Sequence, residues 1–473
     1  MLSEKNKLNH SSLIGFDKNK AILLKQGEQE SLAVSYPTRL PIAIASANGP
    51  YIYDENKRQY LDFLTGAGVL PLGHGHPLLK SVAKAQIDEL VHALDFSTPA
   101  KRKFIDEHLS MLPESIRDQY KVQICAPTGA DAVEAAVKLC KVHTGGSEII
   151  SFQGAYHGCT QGTLSLSSDR SMKIDIANIV EGSHFLPYSA CHDCPLDLER
   201  ASCKVNCAYF FEKSMSDTHS GYKKIAAVIM ELVQGEGGVI PAEKEFVTRI
   251  AAQLKTEKIP LIIDEIQTGC GRTGTWYAFE QYGIAPDIIV ASKALSGIGA
   301  PVAMIFYKKE LEAFTPGKHI GTFRGNQIAF AAGAEFVRLA KQTDILSNVN
   351  EMGIQLKLGL QEISAKNTVI GDVRGLGLML GMEIVEPHSK ESSPILANYL
   401  QRKALELGLI LEVGGRHNAV IRILPPLNIS QKNVALAIEI LDEAVARTVK
   451  QAEHLYGKEA DVVTKVSKGA YKR

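Results

Sequence analysis

Lys293, in PDIIVASKALSG, lies 29 residues after Asp264 of LIIDEIQTGCGRTG, and each residue closes an apolar run that reads as a buried strand. About 30 residues make one strand–helix–strand crossover. Such a unit returns both residues to one edge of a parallel sheet, where ligands bind beyond the carboxyl ends of the strands. From there they can reach opposite sides of one flat ring. A lysine amine can hold pyridoxal phosphate as a Schiff base. A carboxylate can keep the pyridine nitrogen protonated, so that the ring draws electrons from a developing carbanion. Either residue alone reads more readily as a solvated lysine or a strand-end cap, and it is the pairing that points to a pyridoxal phosphate enzyme.

Other stretches carry compatible chemistry. APTGADAVEAAVKLC sets Thr128, Gly129 and Ala130 between a strand and a helix whose apolar face is Ala132, Ala135, Ala136 and Leu139. Backbone N–H groups at such a helix start suit a phosphate, and Thr128 as a plain N-cap is compatible with that. SFQGAYHGCT offers Tyr156 and His157 after another short strand, where an aromatic can stack on a pyridine face or simply pack. AAVIMELVQGEGGVIP ends a strand at Glu231 and carries Glu236 in a flexible loop. Acids so placed can gate a substrate if an arginine is near. Arg422, in AVIRILPPLN, is the candidate partner, because an arginine among apolar residues is costly to bury without a carboxylate. Its planar fork can also bind a substrate carboxylate. Thr322, in HIGTFRGNQIAF, can donate to a phosphate or cap the following helix.

The elements that must position these residues follow from the wider pattern. A chain of 473 residues exceeds one ordinary core and suggests two or three lobes. With 45% hydrophobic and 22% charged residues, it reads as a well-buried soluble globule. Lys plus Arg equals Asp plus Glu at 52 each, so no global field attracts nucleic acid or an acidic membrane. Small molecules and further copies of the chain are the expected partners. The N-terminal stretch has no apolar core of the signal-peptide kind, and no apolar run approaches the roughly 20 residues that span a bilayer. Cytoplasm is therefore the expected location.

An N-terminal arm runs into a first strand near residue 45, and YIYDENKRQYLDF reads as a hairpin. From about 120 to 310, the runs VQIC, EIISF, AAVIM, LIIDE, DIIVAS and VAMIF alternate with helical stretches, the pattern of an α/β domain with a mostly parallel sheet. Amphipathic helices cover about 326 to 366, and VIGDVRGLGLMLGMEIV and AVIRILPPLNIS supply strands for a smaller α/β lobe. The expected division is an arm with part of the small domain over 1–75, a large cofactor domain over 76–335, a C-terminal small domain over 336–452 and a loose basic tail over 453–473.

PTGADAVEAAVKL, YHG, ELVQGEGG, DEIQTGCGRTG, DIIVASKALSG and GTFRGNQIA resemble, in order and spacing, the class III (omega) aminotransferases, from about Tyr51 to Ile429. The resemblance implies the type I fold of pyridoxal-phosphate-dependent transferases: a large α/β domain with a mostly parallel seven-stranded sheet, plus a smaller α/β domain. It implies that Lys293 holds the cofactor and moves the proton, that Asp264 partners the pyridine nitrogen, and that Gln267 donates to the ring hydroxyl. Gly129 and Ala130 match the backbone phosphate cup, and Tyr156 the stacking aromatic. Thr322 matches a phosphate contact from the neighbouring subunit, which implies a homodimer with shared sites. Arg422 is similar to the residue that binds the carboxylate of 2-oxoglutarate, and Glu236 to the acid that pairs with that arginine when an omega-amino donor is bound. Within the class, the segments 35–77 and 123–139 are most similar to the 2,4-diaminobutyrate:2-oxoglutarate 4-aminotransferases. Transaminases of the 4-aminobutyrate or ornithine type are the alternative, as is a decarboxylase or aminomutase, which needs the same Lys293 and Asp264. Arg324 departs from the class, which often has an uncharged residue there, and could meet a substrate carboxylate or a neighbour.

Eight cysteines in so long a chain do not suggest a disulfide scaffold. Four of them, Cys191, Cys194, Cys203 and Cys207, form a C-x2-C-x8-C-x3-C array around His192, in an insert placed at about 184–215. Four thiolates at this spacing can bind zinc, although the central gap is shorter than in ordinary zinc ribbons. Packed or redox-labile thiols are the competing reading, and no metal ligand is assigned.

Overall fold

The apolar runs between 120 and 308 become one seven-stranded sheet in a computed structural model that describes residues 17–457. Its strands are β1 (Tyr120–Cys125), β2 (Glu148–Phe152), β3 (Ser183–Leu186), β4 (Ile225–Met230), β5 (Leu261–Asp264), β6 (Ile288–Ala291) and β7 (Ala303–Lys308). They lie in the spatial order β1-β7-β6-β5-β4-β2-β3. β7 runs antiparallel to β6 and β1, and all other pairs are parallel. The carboxyl ends of β1, β2, β4, β5 and β6 therefore share one edge.

β4, β5 and β6 are buried along their whole length, which is why they read as continuous apolar runs rather than as alternating ones. Successive side chains still go to opposite faces. Ile262 and Val290 pack with Ala132, Ala135, Ala136 and Leu139 of the helix Gly129–Thr144, whose small side chains let it approach the sheet closely. Ile263 and Ile289 pack on the other face with Phe330 and Phe336 of the helix Gln327–Gln342. β3 was not among the expected strands. It is a four-residue edge strand with mostly half-buried residues, so its apolar signal is weak. The irregular part of the cysteine-rich segment accordingly begins after residue 186, and the helix Asn206–Ser216 follows it.

The expected hairpin forms: Tyr51–Asp54 pairs antiparallel with Gln59–Asp62. Gln59–Asp62 also takes Leu409–Ile410 as a parallel neighbour, so the first strands of the chain are completed by its C-terminal third. A further four-stranded sheet is antiparallel, built from Ile370–Leu376, Met379–Ile384, Val420–Ile423 and Glu412–Gly414. Its side chains Leu380, Met382, Ile421 and Ile423 join the core on the Ile263 side of the large sheet. The last helix, Gln431–Tyr456, runs through the expected boundary at 452. The rest of the expected tail and the polar stretch before residue 17 lie outside the described residues. No described helix is long and apolar enough to cross a membrane.

The helix Gln327–Gln342 touches the functional edge directly, through a glycine. A Cβ on Gly333 would sit 2.5 Å from the Leu295 carbonyl oxygen and 2.6 Å from the Phe104 ring, and Leu295 belongs to the turn that begins at Lys293. Gly333→Ala should therefore destabilise the protein by about 1–3 kcal/mol, read as a lowered urea midpoint. An unchanged midpoint would mean that helix and turn separate without strain.

Candidate active site

Five strand ends deliver side chains to one cavity of about 430 Å³, lined by Gly129, Ala130, Tyr156, Asp264, Gln267 and Lys293 among others. The spacing between Lys293 and Asp264 works through register: Asp264 pairs with Val290 across β5 and β6, three residues before Lys293. Lys293 opens a short 3₁₀ turn, Lys293–Ser296, with φ of +37°. Burial, and next the nearby Arg422 guanidinium, hold its amine below the usual lysine range against the pull of Glu236. A less strongly protonated amine is what nucleophilic and proton-transfer work requires.

Asp264 is held from two sides. Its Oδ2 meets His157 Nδ1 at 2.8 Å, and its Oδ1 accepts the Ile266 N–H at 3.0 Å. His157 is fully buried, and its Nε2 has no partner among the described residues. The imidazole thus positions the carboxylate, a role the sequence did not assign to it. The only cue was its place beside Tyr156 after β2. The Tyr156 hydroxyl lies 3.2 Å from the exposed Cys159 Sγ.

At the other end of the cavity the helix Gly129–Thr144 begins. Its first N–H groups have no intrahelical acceptors, and the turn is tight enough that a Cβ on Gly129 would meet Ile266 Cδ1 at 2.7 Å. The Thr128 side chain makes no cap hydrogen bond, so the plain N-cap reading does not describe it.

The two loop acids part company. Glu231 does not reach Arg422: its two oxygens accept the N–H groups of Tyr156 at 3.0 Å and Gly235 at 2.9 Å, and burial pushes its carboxyl up to about 7. It ties the β2 and β4 loops together at the cavity wall. Glu236 is the acid that meets the arginine, with Arg422 Nη1 to Glu236 Oε1 at 2.6 Å. Partial desolvation in the cavity would raise the Glu236 carboxyl, which still reaches solvent, but Arg422, followed by Lys293, holds it below the usual range.

Arg422 has no solvent exposure. Burial would lower its pKa, but Glu236 and Glu412 reverse that and raise it. Glu412 Oε2 lies 3.1 Å from Nη1, and Tyr36 donates to Glu412 Oε1 at 2.9 Å. Gln267 accepts from Arg422 Nη2 at 3.1 Å and donates to the Ala67 carbonyl at 3.3 Å, so its amide joins the arginine to the loop near Gly66. Glu412 and Tyr36 carried no sequence signal of their own.

Thr322 is exposed and does not line this cavity; its carbonyl bonds His92 Nε2 at 2.7 Å. Arg324 meets a neighbour, donating to Asp95 at 2.6 Å and to the His319 carbonyl at 2.8 Å.

A planar, anionic, aldehyde-bearing cofactor fits this donor set. Free backbone N–H groups suit a phosphate, a fixed carboxylate suits a ring nitrogen, and a depressed lysine amine suits the aldehyde carbon. With a mostly parallel sheet beneath them, these groups define a pyridoxal-phosphate-dependent transferase. Residues 33–445 match the family aminotransferase class-III. A diaminobutyrate–2-oxoglutarate aminotransferase of Rhizobium meliloti (strain 1021) is 41% identical over 447 residues, covering 92% of this chain and 94% of that protein. An enzyme of the same name from Haemophilus influenzae is 40% identical over 91% of this chain and 96% of its own length. Among solved structures, an (S)-enantioselective omega-transaminase from Thermomicrobium roseum superposes with a TM-score of 0.82 at 25% identity, covering 91% of this chain and 99% of that one. The chain belongs to the class III aminotransferases, and its cofactor is pyridoxal 5′-phosphate.

If the imidazole positions Asp264, His157→Leu leaves a buried carboxylate short of a donor, a loss of roughly 1–3 kcal/mol. The kcat should fall about 10- to 100-fold with cofactor still bound, and His157→Asn should recover part of it. A kcat within about twofold of the parent would show that Asp264 needs no imidazole.

Proposed function

We propose that this chain moves the terminal amino group of a diamino acid, L-2,4-diaminobutyrate, to 2-oxoglutarate, giving aspartate 4-semialdehyde and glutamate. The observation that carries the reading is the fully buried Arg422 paired with the solvent-accessible Glu236. The names of the relatives from Rhizobium meliloti and Haemophilus influenzae support the choice of donor and acceptor.

Bound pyridoxal phosphate supplies an electron-withdrawing ring that takes up the electron pair left when the substrate carbon loses a proton. In this reading the chain does the rest. Lys293 Nζ carries that proton between the substrate carbon and the cofactor carbon, and the depressed amine is poised to accept it. Asp264 holds the pyridine nitrogen protonated, while Gly129 and Ala130 bind the phosphate. Tyr156 covers one face of the ring, and Gln267 donates to the ring hydroxyl when it is not on Ala67. Glu236 neutralises Arg422 while the amine donor is bound and gives way to a carboxylate of 2-oxoglutarate in the second half-reaction.

The same reading takes the protein as a cytoplasmic homodimer in which Thr322 contacts the phosphate of the neighbouring site. It is supported by exposed apolar side chains beside Thr322. Leu94, Phe96, Ile320 and Phe323 are 44%, 70%, 68% and 69% exposed, on two segments joined by the Ala93 N–H to Gly325 carbonyl bond. Such a patch on a soluble protein marks an interaction surface.

With a panel of amines offered against 2-oxoglutarate and pyruvate, L-2,4-diaminobutyrate with 2-oxoglutarate should give the highest kcat/KM, with glutamate formed and no carbon dioxide released. A preference for ornithine or 4-aminobutyrate would move the chain to another branch of the class. Arg422→Lys keeps the charge but loses the fork. It should lower kcat/KM for 2-oxoglutarate about 100-fold, within the roughly 2–5 kcal/mol of a buried charge pair, and the donor half-reaction far less. Equal losses in both half-reactions would remove the assigned role. Thr322→Ala should weaken cofactor affinity about tenfold, the loss of a hydrogen bond to a charged group. Unchanged affinity would make Thr322 only part of the loop.

A further inference from the structure

The cysteine-rich segment is the one motif that the transfer reaction leaves unused. Between the end of β3 and the helix Asn206–Ser216, residues 187–205 contain no helix or strand. Yet Tyr188, Ala190 and Val205 are buried. Loops this long without regular structure need something else to order them. Several polar contacts fix the rim. The Tyr188 hydroxyl donates to the Glu231 carbonyl at 2.9 Å, the Glu243 N–H donates to Ser189 Oγ at 2.9 Å, and Arg249 Nη1 donates to the Lys204 carbonyl at 3.3 Å.

The middle of the segment is different. Cys191, Cys194, Cys203 and Cys207 all line one small, partly open void of about 20 Å³. That is room for roughly one water-sized particle. All four sulfurs are free thiols, so no disulfide holds the loop. The charged groups near the void are already engaged. Arg200 pairs with Glu243 at 3.1 Å, and His192 turns away to Glu383 at 3.4 Å. The void brings four soft donors together among mostly apolar side chains near the surface. It is suitable space for a soft cation.

We propose that Cys191, Cys194, Cys203 and Cys207 form a four-thiolate zinc site that staples residues 187–205 to the large domain. Among the described residues, no three of these sulfurs lie within 4.8 Å of one another. They surround the void rather than meet in it, and zinc, with Zn–S bonds of about 2.3 Å, draws them inward. Each thiol gives up its proton as its sulfur binds, so the site fills with proton release and more tightly at higher pH. The role is structural. Four protein ligands leave no open position for catalysis, and through Tyr188 the staple supports the wall at Glu231.

Holoenzyme purified without chelators from zinc-supplemented cells should carry one zinc per chain by elemental analysis. An organomercurial should release it in step with thiol titration. Cobalt-grown protein should show thiolate-to-metal charge transfer and the visible bands of tetrahedral cobalt. The Cys203→Ser/Cys207→Ser double variant should lose the metal and melt at lower temperature while retaining the absorbance of bound pyridoxal phosphate. Where that variant does not fold, the zinc count and cobalt spectrum of the parent decide. Four promptly reactive thiols without zinc, disulfides found by mass spectrometry, iron with acid-labile sulfide, or zinc retained by the double variant would each overturn the proposal.

Discussion

A guanidinium sealed from water sets the terms for this site. Burying an unpaired Arg422 would be prohibitive, and removing one partner from a buried pair is itself strongly destabilising. The protein resolves this with two carboxylates of different character. Glu412 is the direct cross-strand neighbour of Arg422, and its second oxygen is held by Tyr36, so it is a fixed partner. Glu236 sits on the loop after β4 and remains in contact with solvent. In the proposed reaction, exchanging Glu236 for a substrate carboxylate leaves the charge around Arg422 unchanged, because one anion replaces another while Glu412 stays. Two chemically unlike substrates can then share one site without leaving a bare charge in either half-reaction.

The same logic explains how far the sequence could be read. The central strands were legible because both their faces are covered, which leaves continuous apolar runs such as LIID and IIVA. The pairing of Lys293 with Asp264 was legible because one crossover returns the chain to the adjacent strand, and the observed register places Asp264 beside Val290. An apolar setting also announced Arg422 as a buried charge in want of a carboxylate, and Glu236 meets it. What these readings share is that burial on a regular element fixes the residue pattern locally.

Contacts that depend on where distant segments meet were not legible. Glu412 comes within reach of Arg422 only because two short strands pair, and Tyr36 arrives from the opposite end of the chain. Glu231, read as a strand-end acid, was a substrate-site candidate beside Glu236, but two backbone N–H groups claim it, one of them from the β2 loop. Arg324 was open to a substrate carboxylate or a neighbour, and Asp95 is the neighbour that takes it. β3 escaped notice because an edge strand needs only partial burial. For Glu412, Tyr36, Glu231 and Arg324 at least one deciding partner lies in another part of the chain, and no local pattern encodes it.

Lys293 itself shows how the scaffold and the chemistry are joined. A lysine at φ of +37° occupies left-handed backbone that L residues avoid, at a cost on the order of 1–3 kcal/mol. Such a conformation persists only where the surroundings dictate it. Here they do so from both sides of the chain. Upstream, β6 is fully buried between its neighbours and delivers the residue at a fixed register. Downstream, the turn it opens is pressed against the helix Gln327–Gln342 at Gly333, where only a missing side chain permits the approach. The turn also gives the Leu295 carbonyl to the buried His108 imidazole at 3.1 Å. The backbone around the lysine is therefore rigid, and its freedom lies in the four-carbon side chain. That division suits the role proposed for this residue, in which it stays anchored to the sheet while its amine moves a proton between two carbon atoms.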